Sequence, residues 1–324
     1  MEEALSADSS TRPPRHWRAK KMSRPPSAVI RRYRAYALPL LYAGSAIRHW
    51  RPLLQLWKAR RGSLLEHLVV ARRDIWTLLR VRFVAAPWGT ATRFERIVDH
   101  CNLVEKLGCP LDIRPNESAT LLAMEEIGPS VLLLLDSPPW MFREGLLTLN
   151  IVEGVDRVFS LSFTLATASS AGRTAYVGGI QGRRGADSLH RNRAFTKAAE
   201  GTRPQDMLFE LFRSLCANFE VTKILCVSDR IRNGRTAFAH SHVDYADPIS
   251  FDYDAMWRAR GGTLQDDGFF DLPLTQPARS DAEIPSKKRA ARRSKLLLIH
   301  ALQQRLLAGL SEPMTIAIHE TEPA

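Results

Sequence analysis

The chain has 324 residues, 45% of them hydrophobic and 25% charged, with a formal net charge of +12. That composition excludes a chain disordered throughout and is enough for one large or two modest hydrophobic cores. The charge is uneven: residues 1–93 hold 19 Lys and Arg against 5 Asp and Glu, while residues 94–324 hold 27 against 29, so the basicity belongs to the N-terminal segment.

Residues 1–28 are polar and rich in Pro, Arg and Lys, which reads as a disordered basic arm. No apolar stretch of the kind found in a secretory signal follows it, so a cytoplasmic location is expected. Residues 29–90 carry Trp50, Leu53, Leu54, Leu56, Trp57, Leu64, Leu65, Leu68, Val69 and Ile75 among arginines. These spacings approximate amphipathic helices. Two roles fit such a basic helical region: helices packed on the main domain with a solvated arginine face, or docking of residues 1–93 on an anionic surface. A lipid surface would place the protein peripherally at the inner face of the cytoplasmic membrane. Nucleic acid would satisfy the same charge, but no nucleic-acid motif is present. The longest apolar runs fall short of the ~20 residues a spanning helix needs, so an integral membrane protein is not expected.

The main domain is expected over 91–310. Phe94, Ile97, Val98, Cys101, Val104 and Leu107 fall at helical spacing and stop at Gly108 and Pro110. A second helix is expected at about 117–126. Three strands follow, at 146–152, 157–166 and 174–181, joined by short turns into an antiparallel meander. Pro204 then opens a helix with Met207, Leu208, Leu211, Phe212, Leu215 and Phe219 on its inner side. After it come a strand at 223–228, a His- and Arg-containing loop at 229–249, a short helix at 253–260 and an edge strand at 269–272 closed by Pro273. Residues 287–309 read as a basic-then-apolar helix and 311–324 as a tail. The whole reads as a mixed α/β (α+β) domain: a central, mostly antiparallel mixed sheet flanked by helices. The order of elements is similar to that of the acyl-CoA N-acyltransferase (GNAT) fold, a likeness of fold and not of chemistry. Cys101, Cys109, Cys216 and Cys226 form no CxxC pair and no zinc-ligand spacing, so free thiols and no metal site are expected.

Five segments stand out: Tyr176-Val177-Gly178-Gly179-Ile180-Gln181-Gly182, Phe195-Thr196-Lys197-Ala198, Gly201-Thr202-Arg203-Pro204, Asp252-Tyr253-Asp254 through Trp257, and Ile284-Pro285-Ser286-Lys287-Lys288-Arg289. In register, they resemble the VirK/YbjX family of bacterial proteins, a domain-of-unknown-function family, over roughly residues 90–310. The resemblance implies an intracellular factor linked to envelope integrity, virulence or resistance to cationic antimicrobial peptides, acting through a protein partner or an anionic surface. It implies no catalytic residues. The sequence departs from the family pattern in two places. An arginine-rich 229–234 stands where a His is expected, and the C-terminal helix lacks an aromatic after Lys288-Arg289.

Read for chemistry, Gln181, Gly182 and Arg183 follow a strand and are similar to the phosphate-holding loop of GNAT enzymes, which would make an acyl-CoA the donor. The spacing is off by one residue, however, and the next helix lies far off near Arg203, so a glycine turn with solvated arginines is the plainer reading. Thr196, Lys197 and Arg203 precede a helix N-terminus and are candidate anion ligands. Lys287, Lys288 and Arg289 open a dense basic cluster that fits phosphate, acidic lipid or a solvated face. His240, His242 and Tyr253 are the candidates for acid–base work, with Tyr253 as the analogue of an acyltransferase acid. Tyr253 and Trp257 share a helix face, which also fits core packing.

Overall fold

The computed structural model describes residues 38–168, 172–183, 185, 187–233, 251–275, 285–310 and 316–318. The expected arm at 1–28 and His240 and His242 lie outside them. Residues 45–324 group into one compact unit, apart from the segment ending at Gly44.

The N-terminal region is helical: α1 (Leu38–Arg48), α2 (Trp50–Trp57) and α3 (Leu64–Ala71), then a 3-10 segment at Arg73–Leu79. The hydroxyl of Ser63 caps α3 by accepting from the Glu66 N–H at 3.2 Å. Leu56, Leu64, Leu65, Leu68, Ile75 and Leu78 turn inward. The long α4 (Thr90–Leu107) buries Phe94, Ile97, Cys101 and Val104, as its spacing predicts, and ends at Gly108 with φ +73°.

A nine-stranded sheet is built from β1 (Glu117–Ala123), β2 (Val131–Asp136), β3 (Leu147–Glu153), β4 (Asp156–Thr167), β5 (Arg173–Gly182), β6 (Val221–Val227), β7 (Thr263–Leu264), β8 (Phe269–Leu272) and β9 (Ile316–Ile318). Its order is β7-β8-β6-β5-β4-β3-β2-β1-β9, and every neighbouring pair is antiparallel except β5 and β6, which run parallel. The mostly antiparallel mixed sheet and the meander are as expected. The helix expected at 117–126 is instead β1. A register shift between Thr120 and Leu122 lets both Leu121 and Leu122 bury, and this doublet hides the period-two pattern of a strand. Residues 316–318, within the segment read as a tail, pair with Glu117–Ala119.

Between β5 and β6 lie α5 (Ser188–Ala198) and α6 (Pro204–Asn218). With Pro204 at its start, α6 buries Met207, Leu208, Phe209, Leu211, Phe212 and Leu215. Phe212 meets Phe163 of β4 edge-on at 5.0 Å between ring centroids, and Phe209 meets Trp257 at 5.6 Å. Each such ring contributes about 1.5–3 kcal/mol by burial. The short α7 (Tyr253–Arg258) and the long α8 (Ser286–Gly309) complete the domain, and α8 packs on α6 and β1 through Ile299, Leu302 and Leu306. Cys101, Cys216 and Cys226 are buried and Cys109 is exposed, all as free thiols.

Candidate functional site

The pairing of the central strands places polar side chains in two parallel rungs. Asp136 pairs with Thr148, Thr148 with Ser162 and Ser162 with Gly179; next to them Leu134 pairs with Asn150, Asn150 with Ser160 and Ser160 with Gln181. Directly paired residues share a face, so this side of the sheet carries a buried polar stripe. Its members satisfy one another. The Asn150 amide donates to Asp136 Oδ1 at 2.9 Å, and the Ser160 hydroxyl donates to Asn150 Oδ1 at 2.7 Å.

The segment 139–145 lies over this stripe, and the glycines of the Tyr176–Gly182 strand make room for it. A Cβ on Gly178 would collide with the Glu144 carbonyl, and one on Gly179 would stand 2.8 Å from Glu144 Cγ. A Cβ on Gly182 would stand 2.6 Å from the Phe159 ring. None of the three has a positive φ; Gly185 does, at +140°. The glycine pattern thus serves close packing here and not a left-handed phosphate loop. Desolvation under this cover pushes the Glu144 carboxyl up to about 7.

Gln181, Gly182 and Arg183 do come together, in a pocket of about 370 Å³ completed by Trp140, Arg157, Phe159 and Ser160. Arg157 pairs with Asp136 at 2.6 Å, and its guanidinium lies 5.3 Å from the Trp140 ring centre. Arg183 donates from Nε to the Arg157 carbonyl at 3.3 Å and stands 3.4 Å from Asp156.

Tyr253 lies elsewhere in the sheet plane. The β5–β6 register ends at Val177 and Cys226, after which β5 continues without a β6 partner. There the Tyr253 hydroxyl accepts from the Ile180 N–H at 2.9 Å and donates to the Ile180 carbonyl at 2.8 Å. Burial pushes its phenol up, so it stays protonated as this donor requires. The Arg232 guanidinium sits 4.5 Å from the Tyr253 ring centre, held 3.0 Å from Asp229, and Asp229 accepts from the Tyr253 N–H at 3.1 Å. Tyr253 and Trp257 are both buried and meet edge-on at 6.0 Å, the core packing their spacing implies.

Arg203 lines a second pocket, of about 420 Å³, with Asp206, Asp252, Arg260 and Lys295. Arg260 hydrogen-bonds Asp206 within it, so its charges are largely matched internally. Thr196 and Lys197 belong to α5, a helix the sequence did not reveal. Thr196 Oγ1 donates to the Asn192 carbonyl at 2.6 Å, and Lys197 is exposed. Lys287 and Lys288 are exposed in the first turn of α8 and Arg289 is half-buried; none of the three lines either pocket. The sequence candidates are therefore spread over several places. No motif or spacing in the sequence singles out Trp140, Arg157, Glu144, Asp229 or Arg232.

A further surface lies on the N-terminal helices. Ile47, Trp50, Trp57 and Val70 are 76, 55, 79 and 72% exposed. Trp50 and Trp57 are two helical turns apart and so share a side of α2. Arg48, Arg51, Lys58, Arg60, Arg61 and Arg80 are exposed too, and the Arg51 guanidinium lies 5.7 Å from the Trp50 ring centre. Among the described residues no group of metal-ligating side chains occurs, and no helix is long and apolar enough to cross a membrane.

A family model described as "Protein of unknown function (DUF535)" matches residues 30–308. A curated relative, "Uncharacterized protein YbjX" of Escherichia coli (strain K12), is 26% identical over 190 residues, 59% of this chain and 52% of that protein. The chain thus matches about half the length of this relative. No solved structure matches.

Proposed function

The chain belongs to the DUF535 family, the kinship its VirK/YbjX-like segments imply, and from that premise we propose that it works by docking on anionic membrane surfaces through its N-terminal helices. The supporting observation is the exposure of Trp57 and Trp50 on one side of α2, in a stretch of chain whose Arg48, Arg51, Lys58, Arg60 and Arg61 are exposed as well. Indole rings favour the headgroup level of a bilayer, and each Lys or Arg near an anionic surface adds about 1 kcal/mol. The protein then acts peripherally, at the inner face of the cytoplasmic membrane. The family resemblance supports a role in envelope integrity, virulence or peptide resistance.

Co-sedimentation of the full chain with phosphatidylglycerol-containing vesicles tests this. Binding should require the anionic lipid and weaken with salt. Binding to duplex DNA without binding to these vesicles would overturn it in favour of the nucleic-acid reading.

The GNAT-like acyltransferase reading keeps one supporting observation, the parallel pair β5–β6 that parts after Val177 and Cys226. The engagement of Tyr253 with Ile180 weighs against it. Titration with acetyl-CoA and a long-chain acyl-CoA decides: no thermal shift with either removes it.

A further inference from the structure

The pocket between β4, β5 and Trp140 holds guanidinium donors that make no hydrogen bond within the fold. Arg183 is 11% exposed, and neither its Nη1 nor its Nη2 has a hydrogen-bond partner. Its nearest carboxylate, Asp156, is closer to Arg191, at 2.8 Å, than to Arg183, at 3.4 Å. Arg157 spends Nη2 on Asp136, and its Nη1 has no partner. Buried guanidinium donors are costly to leave unpaired, and a group with several anionic oxygens is the acceptor their planar forks match.

The wall beside them is aromatic. Trp140 keeps 48% of its surface exposed, and the Arg157 guanidinium lies over its ring. Phe159 lines the same space. An arginine layered with an indole is a platform for a planar ring. Ser160 offers no free donor, because its hydroxyl is committed to Asn150, and the Gln181 amide packs against the Met141 sulfur. A volume of about 370 Å³ falls within the range of small-molecule sites.

From these features we infer that this pocket binds a small phosphomonoester carrying a planar ring, with the phosphate on Arg183 and Arg157 and the ring against Trp140. The site is separate from the membrane-docking helices and stands or falls without them.

Calorimetric titration of the full chain with phenyl phosphate and with adenosine monophosphate tests the inference, with inorganic phosphate and adenosine as the two halves. At least one ring phosphate should bind one-to-one and more tightly than either half. Arg183→Gln should weaken it by about ten-fold or more, the worth of a charged hydrogen bond. Trp140→Ala, at a half-exposed position that leaves folding intact, should reduce the ring phosphate to the affinity of inorganic phosphate. Lys288→Gln should change nothing. The inference is overturned if neither ring phosphate binds in the millimolar range, or if Trp140→Ala binds as the unmodified chain does.

Discussion

The hydroxyl of Tyr253 takes the place of a neighbouring strand, accepting from the N–H of Ile180 at 2.9 Å and donating to its carbonyl at 2.8 Å. A single side chain thus satisfies both backbone groups of Ile180, which lies beyond the end of the β6 register. Tyr253→Phe removes both partners at once. It should destabilise the fold by about 2–3 kcal/mol, the cost of two buried unpaired groups, measured by urea denaturation at neutral pH. A loss under 0.5 kcal/mol would show that the hydroxyl is free for another task.

Gly178 should tolerate no side chain, because its missing Cβ is what admits the Glu144 carbonyl. We expect Gly178→Ala to cost more than about 3 kcal/mol through overpacking against backbone, which has nowhere to move. Gly89, with φ −65° and open space where a Cβ would stand, should accept Ala with little change. Paired denaturation curves of the two variants check this contrast.

Two desolvated groups, the half-buried Glu144 and the buried His100, should pull stability in opposite directions with pH. Glu144 is raised from its usual 4.5 to about 7 by desolvation, so its share of stability is full below pH 4.5 and lost as pH rises through 7. His100 is lowered from 6.5 to about 4, again by burial, while its Nδ1 accepts from the Leu165 N–H at 3.0 Å. Its share is full above pH 6.5 and lost as pH falls through 4. Each effect is on the order of 2–3 kcal/mol and they oppose one another between pH 4.5 and 6.5. Glu144→Gln should therefore unmask a stability that climbs with pH across that window. His100→Asn, which keeps an acceptor near Nδ1, should unmask one that falls. Identical pH profiles for the two variants would contradict this assignment.

Replacing Trp50 and Trp57 together by Ser should leave the melting temperature within a few degrees, since both rings are largely exposed. Partitioning onto phosphatidylglycerol vesicles should nevertheless fall by about ten-fold or more. Unchanged partitioning would remove the tryptophans from the docking face.

The elements legible in the sequence are those with a clean apolar period. The stripe Phe94–Ile97–Cys101–Val104 announces α4, and Met207 through Leu215 announces α6. The three meander strands are found within a residue or so of each end. Segments whose burial departs from a simple period are misread. Only Phe195 of α5 is buried, so that helix has no stripe to see. In β1 the register shift sets two leucines side by side inside. The site was half legible. Gln181 and Arg183 stand in a conspicuous glycine-rich strand, but Arg157 and Trp140 reach them only through the register of β4 and the path of 139–145. No spacing in the sequence encodes that meeting.

Both margins of the sheet end in stubs: β7 has two residues and β9 three. Beyond the reach of β9, the Ala123 carbonyl at the far end of β1 accepts from Arg305 Nη2 at 2.6 Å, so a long helix continues what a short strand begins. A sheet finished in this way offers little backbone for another chain to zip onto, which guards a basic and partly apolar molecule against edge-to-edge aggregation. If copies of this protein associate, their contacts should fall on helical faces, and losing residues 316–318 should expose β1 as a template for self-association.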